Sequence, residues 1–504
     1  MGNRACRSII SSGAEGTLVD IECHISNNLP TIIIIGFASK AVNEAKDRLR
    51  GAFASSGIAL PRKRITLNLA PADLHKTDSG LDLAMAAAIL TVSGPVEHLT
   101  DRQGVIGEVG LDGRTRPVRG IIGKLLAGRQ HGIHEFFISA DNLPQARLVP
   151  GVSLFPVVTV SELHAHLLGA RRITPVVTDK LSYPLQNPTP DTRALDEITG
   201  QTFAKRALAI SAAGGHNILL TGPPGTGKSL LAKALSCLLP PLDHEEMLEV
   251  THLSSLATAQ YNRLVTDRPV RSPHHTTSPA AMMGNGNRPG EISLSHRGVL
   301  LLDELPEFTR AALEVLRQPL EDHQLHVSKA RMSTSYPAHF LLAATANPCP
   351  CGYSGTPDTP CICSAAQLQR YRTKLSGPLL DRFDLCCTVT KVTHKLLLRD
   401  PHNIHQVTQA KQIEVARTAQ AQRHGTTSLL NGDLSSAALR KHAHLASSSQ
   451  QLLDKAAHQL RLSTRGYLKV VKVARTIADM EGSSLIESQH MSEALRYRPE
   501  AAWA

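Results

Sequence analysis

The sequence predicts an α/β chain: a P-loop core on a parallel sheet, with an α/β domain before it and a helical block after it. Three observations carry this. The apolar run Ile218–Leu220 leads into Gly222-Pro-Pro-Gly-Thr-Gly-Lys-Ser229 and then into a helical pattern of Leu230, Leu231, Ala234, Leu235 and Leu238. Two further apolar runs, 298–302 and 340–346, end in the polar residues Asp303-Glu304 and Asn347. From about residue 405 onward the chain is rich in Ala, Leu, Gln and Lys and has no strand-like run.

The first run satisfies G-x-x-x-x-G-K-[ST] at every fixed position, in the strand–loop–helix context the motif needs. The glycines let successive backbone N–H groups turn inward around phosphate oxygens, and the helix N-terminus adds positive potential. Gly222, Pro223, Pro224, Gly225, Thr226, Gly227, Lys228, Ser229 and Leu230 are therefore candidate nucleotide contacts. Lys228 can reach the β- and γ-phosphates of ATP, and Ser229 can ligate Mg²⁺.

Asp303 and Glu304 end a buried strand about 75 residues past the P-loop, at the edge where such sheets bind ligands. Asp303 would hold the Mg²⁺ shell, and Glu304 would polarise the attacking water. Asn347 can hydrogen-bond both the γ-phosphate and that water. It also precedes Pro348, and Asn-Pro initiates turns, so both roles stay open. Arg382 follows a helical turn in LSGPLLDRFD, and an arginine supplied in trans stabilises charge on a transferred phosphoryl group.

Composition bounds the rest. A chain of 504 residues holds about two to four domains. Its 54 Lys and Arg exceed its 43 Asp and Glu, a formal charge of +11, which permits nucleic-acid binding without establishing it. Aromatics at 3% argue against a base-stacking platform. Runs such as Ile32–Ile35 are far short of a membrane span, and the N-terminus lacks a signal-peptide apolar region. Nine cysteines, several of them clustered, point to a reducing cytoplasm.

Four segments are expected. Residues 1–165 alternate strand-like runs (TIIIIGF, RITLNLA) with helical ones at 42–53 and 82–92. Residues 166–192, with four prolines and Arg171-Arg172, suit a linker. The P-loop core spans 193–400, and a helical lid spans 401–504.

Together these motifs resemble the AAA+ ATPases, and more narrowly the magnesium-chelatase-like YifB/ComM family. The resemblance covers almost the whole chain. Its most specific stretches are RSPHHTTSPAAMMG, RPGEISLSHRGVLLLDELPEF, LRQPLEDHQLHVSKA, LSGPLLDRFDL and STRGYLKVVKVARTIADMEGS. It implies that Asn347 is sensor 1, Arg382 the arginine finger and Arg465 the sensor 2 arginine of the lid. Gly200 and Gln201, in ALDEITGQ, resemble the segment flanking the adenine. It implies a ring, a homo-hexamer. It also implies a helix 2 insert containing His274, His275, Gly284 and Gly286, and a hairpin over 323–338, both lining the pore. Lys329 and Arg331 are then candidate DNA-phosphate contacts; the alternative is a solvated edge hairpin.

The stretches LNLAPADLHKTDSGLDLAMAAAIL and GEVGLDGRTRPVRGIIGKLLAGRQHGI resemble the Lon-protease fold around its catalytic Ser and Lys. Motif alignment puts Gly80 at the nucleophile position and Ile122 at the base position, with Ser79 and Lys124 displaced. A Ser–Lys dyad needs both groups within hydrogen-bond reach, so no peptidase activity is expected.

Cys349-x-Cys351 and Cys361-x-Cys363 could hold a tetrahedral Zn²⁺, though C-x-C is tighter than the usual C-x₂₋₄-C; reduced loop thiols are the alternative. Cys386 and Cys387 lie on an apolar strand and read as core residues.

The family resemblance implies an ATP-driven DNA motor that promotes branch migration during recombination in natural transformation. A magnesium-chelatase motor subunit and a protein-remodelling ATPase are the alternatives. A chelatase motor has no evident use for a Lon-like domain.

Overall fold

A computed structural model describes residues 5–178 except 77, residues 195 and 198–392 except 259, 262, 287, 330, 331 and 358, and residues 404–498. The side chains of 12, 329, 332, 333 and 404–408 lie outside that description.

The N-terminal domain is built on eight strands: β1 (Cys6–Ser12), β2 (Glu15–Ser26), β3 (Thr31–Ile35), β4 (Arg64–Ala70), β5 (Gln103–Ile106), β6 (Glu135–Ser139), β7 (Ser153–Val157) and β8 (Val176–Val177). They lie in the order β8-β7-β6-β5-β1-β2-β4-β3. β1, β2 and β4 pair antiparallel, whereas β5, β6 and β7 run parallel. Alternation decides the faces. Val19, Ile21 and Cys23 of β2 and Ile65, Leu67 and Leu69 of β4 are buried, with more exposed residues between them.

Both faces of this sheet are covered. Consecutive β1 residues Ile9 and Ile10 enter different apolar clusters, because side chains alternate across a strand. Helices α1 (Ala45–Ser55) and α2 (Asp82–Ser93) cover the Ile10 side, and α3 (Ile121–Gln130) covers the other. α2 is buried all round, from Leu83 to Leu90, as a helix apolar on every side must be. The domain also runs past residue 165. Ile173 is buried, Val176–Val177 pairs with β7, and Thr178 bonds Val152. The first part of the expected linker therefore belongs to the N-terminal sheet; residues 179–192 lie outside the described residues.

The core comprises α4 (Thr202–Gly214), β9 (Ile218–Thr221), α5 (Lys228–Ala234), α6 (His244–Ala257), β10 (Val270–Arg271), β11 (Val299–Leu302), β12 (Gln324–Lys329), β13 (Met332–Pro337), β14 (Leu341–Ala346), α7 (Ala365–Thr373) and β15 (Leu385–Thr388). Five strands form a parallel sheet in the order β10-β11-β14-β9-β15. β11 and β14 are buried at every residue, as strands covered on both faces require. A parallel sheet gathers its strand ends, so the segments after β9, β11 and β14 meet at one edge.

The longer helices of the lid are α8 (Ile404–His424), α9 (Ser447–Gln459), α10 (Thr464–Met480) and α11 (Ser488–Leu495). Val470, Ala474 and Ile477 of α10 share one apolar cluster with Leu208 and Ile210 of α4. The N-terminal domain is joined through α6: Met247 and Val250 pack with Ile121 and Ile122, and the His252 ring lies 2.7 Å from the Ala14 carbonyl. No helix of the described residues is long and apolar enough to cross a membrane.

Candidate nucleotide-hydrolysis site

β9 delivers the chain into the P-loop, and the loop is tight. A Cβ on Gly222 would stand 2.2 Å from the Val389 carbonyl oxygen, so this position needs glycine. Gly227 caps α5 in the left-handed region at φ 84°, which aims the amides that follow into the loop. The Lys228 ammonium folds back onto the carbonyls of Gly222 (2.8 Å) and Pro223 (2.7 Å) and donates to Asn347 Oδ1 (3.1 Å). Burial pulls its pKa below the ordinary lysine value, against the opposing pull of Asp303 and Glu304.

Ser229 Oγ lies 2.9 Å from both Asp303 oxygens. A hydroxyl beside a carboxylate is the hard oxygen donor set that suits Mg²⁺. Glu304 holds a left-handed backbone at φ 54° and ψ 51°, and its N–H donates to Thr345 Oγ1 at 3.0 Å. That is a strained state for a non-glycine residue, and it leaves the Glu304 carboxylate exposed beside Asp303. Gln201, also left-handed, donates from Nε2 to the Thr390 carbonyl at 2.7 Å and to the Thr226 carbonyl at 3.4 Å. The structure thus gathers Gln201, Lys228, Ser229, Asp303, Glu304 and Asn347 at one sheet edge.

Arg382 is elsewhere. It lies three residues before β15, and the side-chain amide of Asn217, the residue before β9, donates to the Arg382 carbonyl at 3.1 Å. Arg382 therefore sits at the N-terminal ends of the strands, while the P-loop sits at their C-terminal ends. Four residues of β9 separate them by about 13 Å at roughly 3.3 Å per residue. Arg465, at the start of α10, is on the Arg382 side. Arg382 Nη2 lies 2.6 Å from Glu321 Oε1, and Arg465 bonds the same oxygen. Burial lowers the Arg382 pKa, against the attraction of Glu321. The two arginines line a cavity of about 340 Å³ with Glu321, Lys469 and Lys472, and no residue of 222–229 nor Asp303, Glu304 or Asn347 borders it.

The expected hairpin is present as β12 and β13 in antiparallel register. Its base is anchored: Leu325, Val327 and Tyr336 are buried, Tyr336 Oη donates to the Asn285 carbonyl at 3.0 Å, and Thr334 Oγ1 donates to that of Gly286 at 3.4 Å. The helix 2 insert and the hairpin therefore pack on each other. Arg331 and the Lys329 side chain lie outside the described residues.

The four cysteines converge. Cys349 Sγ lies 3.3 Å from Cys351 Sγ and 3.7 Å from Cys361 Sγ, and all four sulfurs fall within 4.8 Å of one another. Cys387 is fully buried and Cys386 half-buried, and burial raises both thiols to about 12, as core residues should show.

The N-terminal pseudo-site corrects one expectation. Lys124, not Ile122, faces Gly80: a Cβ built on Gly80 would stand 2.9 Å from Lys124 Nζ. The register of α3 decides this, since it turns Ile122 into the core and aims Lys124 across at the short 3-10 turn of residues 79–81. Lys124 is fully buried and bonded to Asp78, while Ser79 Oγ bonds Glu108 instead. Burial pushes the Asp78 carboxyl up, but Lys124 and the N–H groups of Gly80 and Ser11 outweigh it and hold it below the usual carboxylate range.

Two residues escaped the sequence reading. Thr345 bonds Asp303 as well as the Glu304 amide, and its signal was a lone hydroxyl in the apolar run LLAATA. Glu321 had no local signal, because its partners are far away in sequence.

Comparison with known proteins agrees with this geometry. Family models match residues 194–397 (magnesium chelatase, subunit ChlI), 21–142 (subunit ChlI of Mg-chelatase) and 405–498 (magnesium chelatase, subunit ChlI C-terminal). The chain is 40% identical over 496 residues to the protein YifB of Escherichia coli, covering 96% of this chain and 95% of that one. It is 39% identical over 496 residues to the competence protein ComM of Haemophilus influenzae, covering 97% and 96%. Shorter likenesses are 24% over 261 residues to the DNA replication licensing factor Mcm2 of Drosophila melanogaster (47% of this chain, 26% of that one) and 43% over 56 residues to an archaeal Lon protease of Archaeoglobus fulgidus (11% and 9%). With its P-loop, its acidic strand end and its helical lid in place, the chain belongs to the YifB/ComM family of magnesium-chelatase-like AAA+ ATPases.

Proposed function

We propose that this protein is an ATP-driven ring motor, a homo-hexamer, that moves DNA strands and promotes branch migration in recombination and natural transformation. The observation that supports the ring most directly is the position of Arg382, a strand's length from its own P-loop. Each chain then carries two halves of two different sites. In this reading Lys228 grips the β- and γ-phosphates and Gly200-Gln201 flanks the adenine. Ser229 and Asp303 hold Mg²⁺, which neutralises phosphate charge, while Glu304 polarises the water and Asn347 orients it. Arg382 and Arg465 serve the neighbour's phosphates together, since one carboxylate already holds them side by side. Zn²⁺ on the four cysteines completes the set of bound ions.

The DNA substrate is supported by the competence and replication proteins among the relatives, by the formal charge of +11 and by the two inserts that pack together. The chelatase reading is favoured by the descriptions of all three family models, the N-terminal one included, so the N-terminal domain does not separate the two readings.

The deciding experiment is ATP-dependent branch migration on three- and four-strand junctions, with wild type beside Lys228→Ala and Glu304→Gln. Wild type should move the junction and both variants should not. An ATPase indifferent to DNA but stimulated by a tetrapyrrole or by a protein substrate would sink the DNA reading, as would an absence of salt-dependent DNA binding.

A further inference from the structure

The stretch from Pro348 to Ser364 contains no helix or strand among its described residues, yet it lies directly over the nucleotide site. A loop of this length inside a compact domain needs something to hold its shape. Its own sequence offers little apolar material, and Ile362, between Cys361 and Cys363, is 85% exposed. The backbone gives up burial of an isoleucine to turn both neighbouring thiols inward. Cys349 is fully buried, and its sulfur accepts the Ser354 N–H at 3.2 Å; Cys351 accepts the amides of Tyr353 and Ile362. Backbone N–H groups aimed at sulfur are what thiolate ligands of a metal use to spread their charge.

The sulfur spacing separates the chemistries. Cys349–Cys351, Cys351–Cys361 and Cys349–Cys361 are separated by 3.3, 3.5 and 3.7 Å between sulfurs. A disulfide would bring one pair to about 2.05 Å. Four thiolates around zinc at about 2.3 Å stand roughly 3.8 Å apart along each edge of the tetrahedron.

The loop grips the site from above. Cys349 follows Asn347 by two residues, and Asn347 Oδ1 accepts from Lys228. Gly352, at φ +87°, packs so closely on the P-loop that a Cβ there would stand 2.6 Å from Pro224 Cδ. Beyond Cys363, Ser364 caps α7 through a capping box with Gln367, and the chain then runs on to Arg382.

We propose that Cys349, Cys351, Cys361 and Cys363 bind one Zn²⁺ that clamps Asn347 and the P-loop in register, so that nucleotide affinity depends on the metal. This rests on the zinc reading of the cluster and adds a role in the ATPase cycle to it. The metal takes no part in the chemistry; it is a positioning element, acting through Pro224 and Asn347.

The test uses full-length protein purified in reducing buffer without chelator. Elemental analysis should give about one zinc per chain. Cys361→Ser with Cys363→Ser should lose the metal, and its equilibrium binding of a fluorescent ADP analogue should weaken about tenfold or more, with its circular dichroism unchanged. Gly352→Ala keeps all four ligands and serves if the double variant fails to fold. It should retain zinc yet bind the ADP analogue more weakly, because its Cβ pushes on Pro224. Absence of zinc from wild type overturns the metal site. Zinc present, with nucleotide binding unchanged in Gly352→Ala or in a folded zinc-free variant, overturns the clamp and leaves the metal site standing.

Discussion

Two buried lysines, each beside a glycine turn, show how one arrangement can be competent and another inert. Lys228 rests on two carbonyls and the neutral Asn347 side chain, acceptors that compete weakly with a phosphate for an ammonium. Lys124 is bonded to the Asp78 carboxylate and faces Gly80, where there is no side-chain nucleophile to activate. What a lysine can do is set by the charge already spent on it. In the N-terminal domain the lysine is held in a buried ion pair, while in the P-loop it rests on neutral acceptors.

The contrast can be broken most severely at Arg382. Arg382→Ala should lower the DNA-stimulated ATPase rate by about 10³-fold, the scale of an arginine finger. Mixing it with Lys228→Ala protein should restore part of the rate, because an intact Arg382 on one chain then meets an intact P-loop on another. Mixed rings as inactive as either parent would exclude action in trans. Next in size, Lys228→Ala or Glu304→Gln should reduce turnover by about 10²-fold or more, with Glu304→Gln still binding ATP in an equilibrium assay.

In the N-terminal domain the same kind of substitution should cost stability and spare ATP hydrolysis. Asp78→Asn strands a buried ammonium and should destabilise the domain by about 3–5 kcal/mol in denaturant melts. The pH dependence has a defined sign. The Asp78 carboxyl is held below its unfolded value, so its contribution is present above about pH 4 and is lost as pH falls through the lower folded value. Acid melts of wild type should show this loss, and Asp78→Asn should flatten it. The smallest effect belongs to Ser79→Ala. It should leave ATPase unchanged and reveal no casein cleavage to abolish; ATP-dependent cleavage lost on this substitution would reverse the inert reading of the site.

The nucleotide machinery was legible because each part is short in sequence. Gly222–Ser229 encodes its own turn, and the apolar runs of β11 and β14 announce buried strands whose ends carry Asp303, Glu304 and Asn347. The Lys124 error had a different origin. Placing Ile122 opposite Gly80 is a slip of two residues along a helix, about 200° of rotation at 3.6 residues per turn, and an apolar Ile-Ile-Gly-Lys-Leu-Leu run does not fix which residue faces the turn. The linker boundary was misplaced for a related reason, since a two-residue strand such as Val176–Val177 forms only because β7 is there to pair with it.

By itself the sequence determined the P-loop, the acidic strand end, the thiol pairs and the helical character of the C-terminal block, because backbone geometry and side-chain chemistry within a few residues suffice for each. Only the tertiary structure decided that Glu321 holds both Arg382 and Arg465, the latter 144 residues away, and that both face away from their own P-loop. It also decided that Gly352 lies on Pro224 and that Lys124 is neutralised by Asp78. Such contacts join segments distant in the chain, and the strand order of the sheet, not local propensity, brings them together.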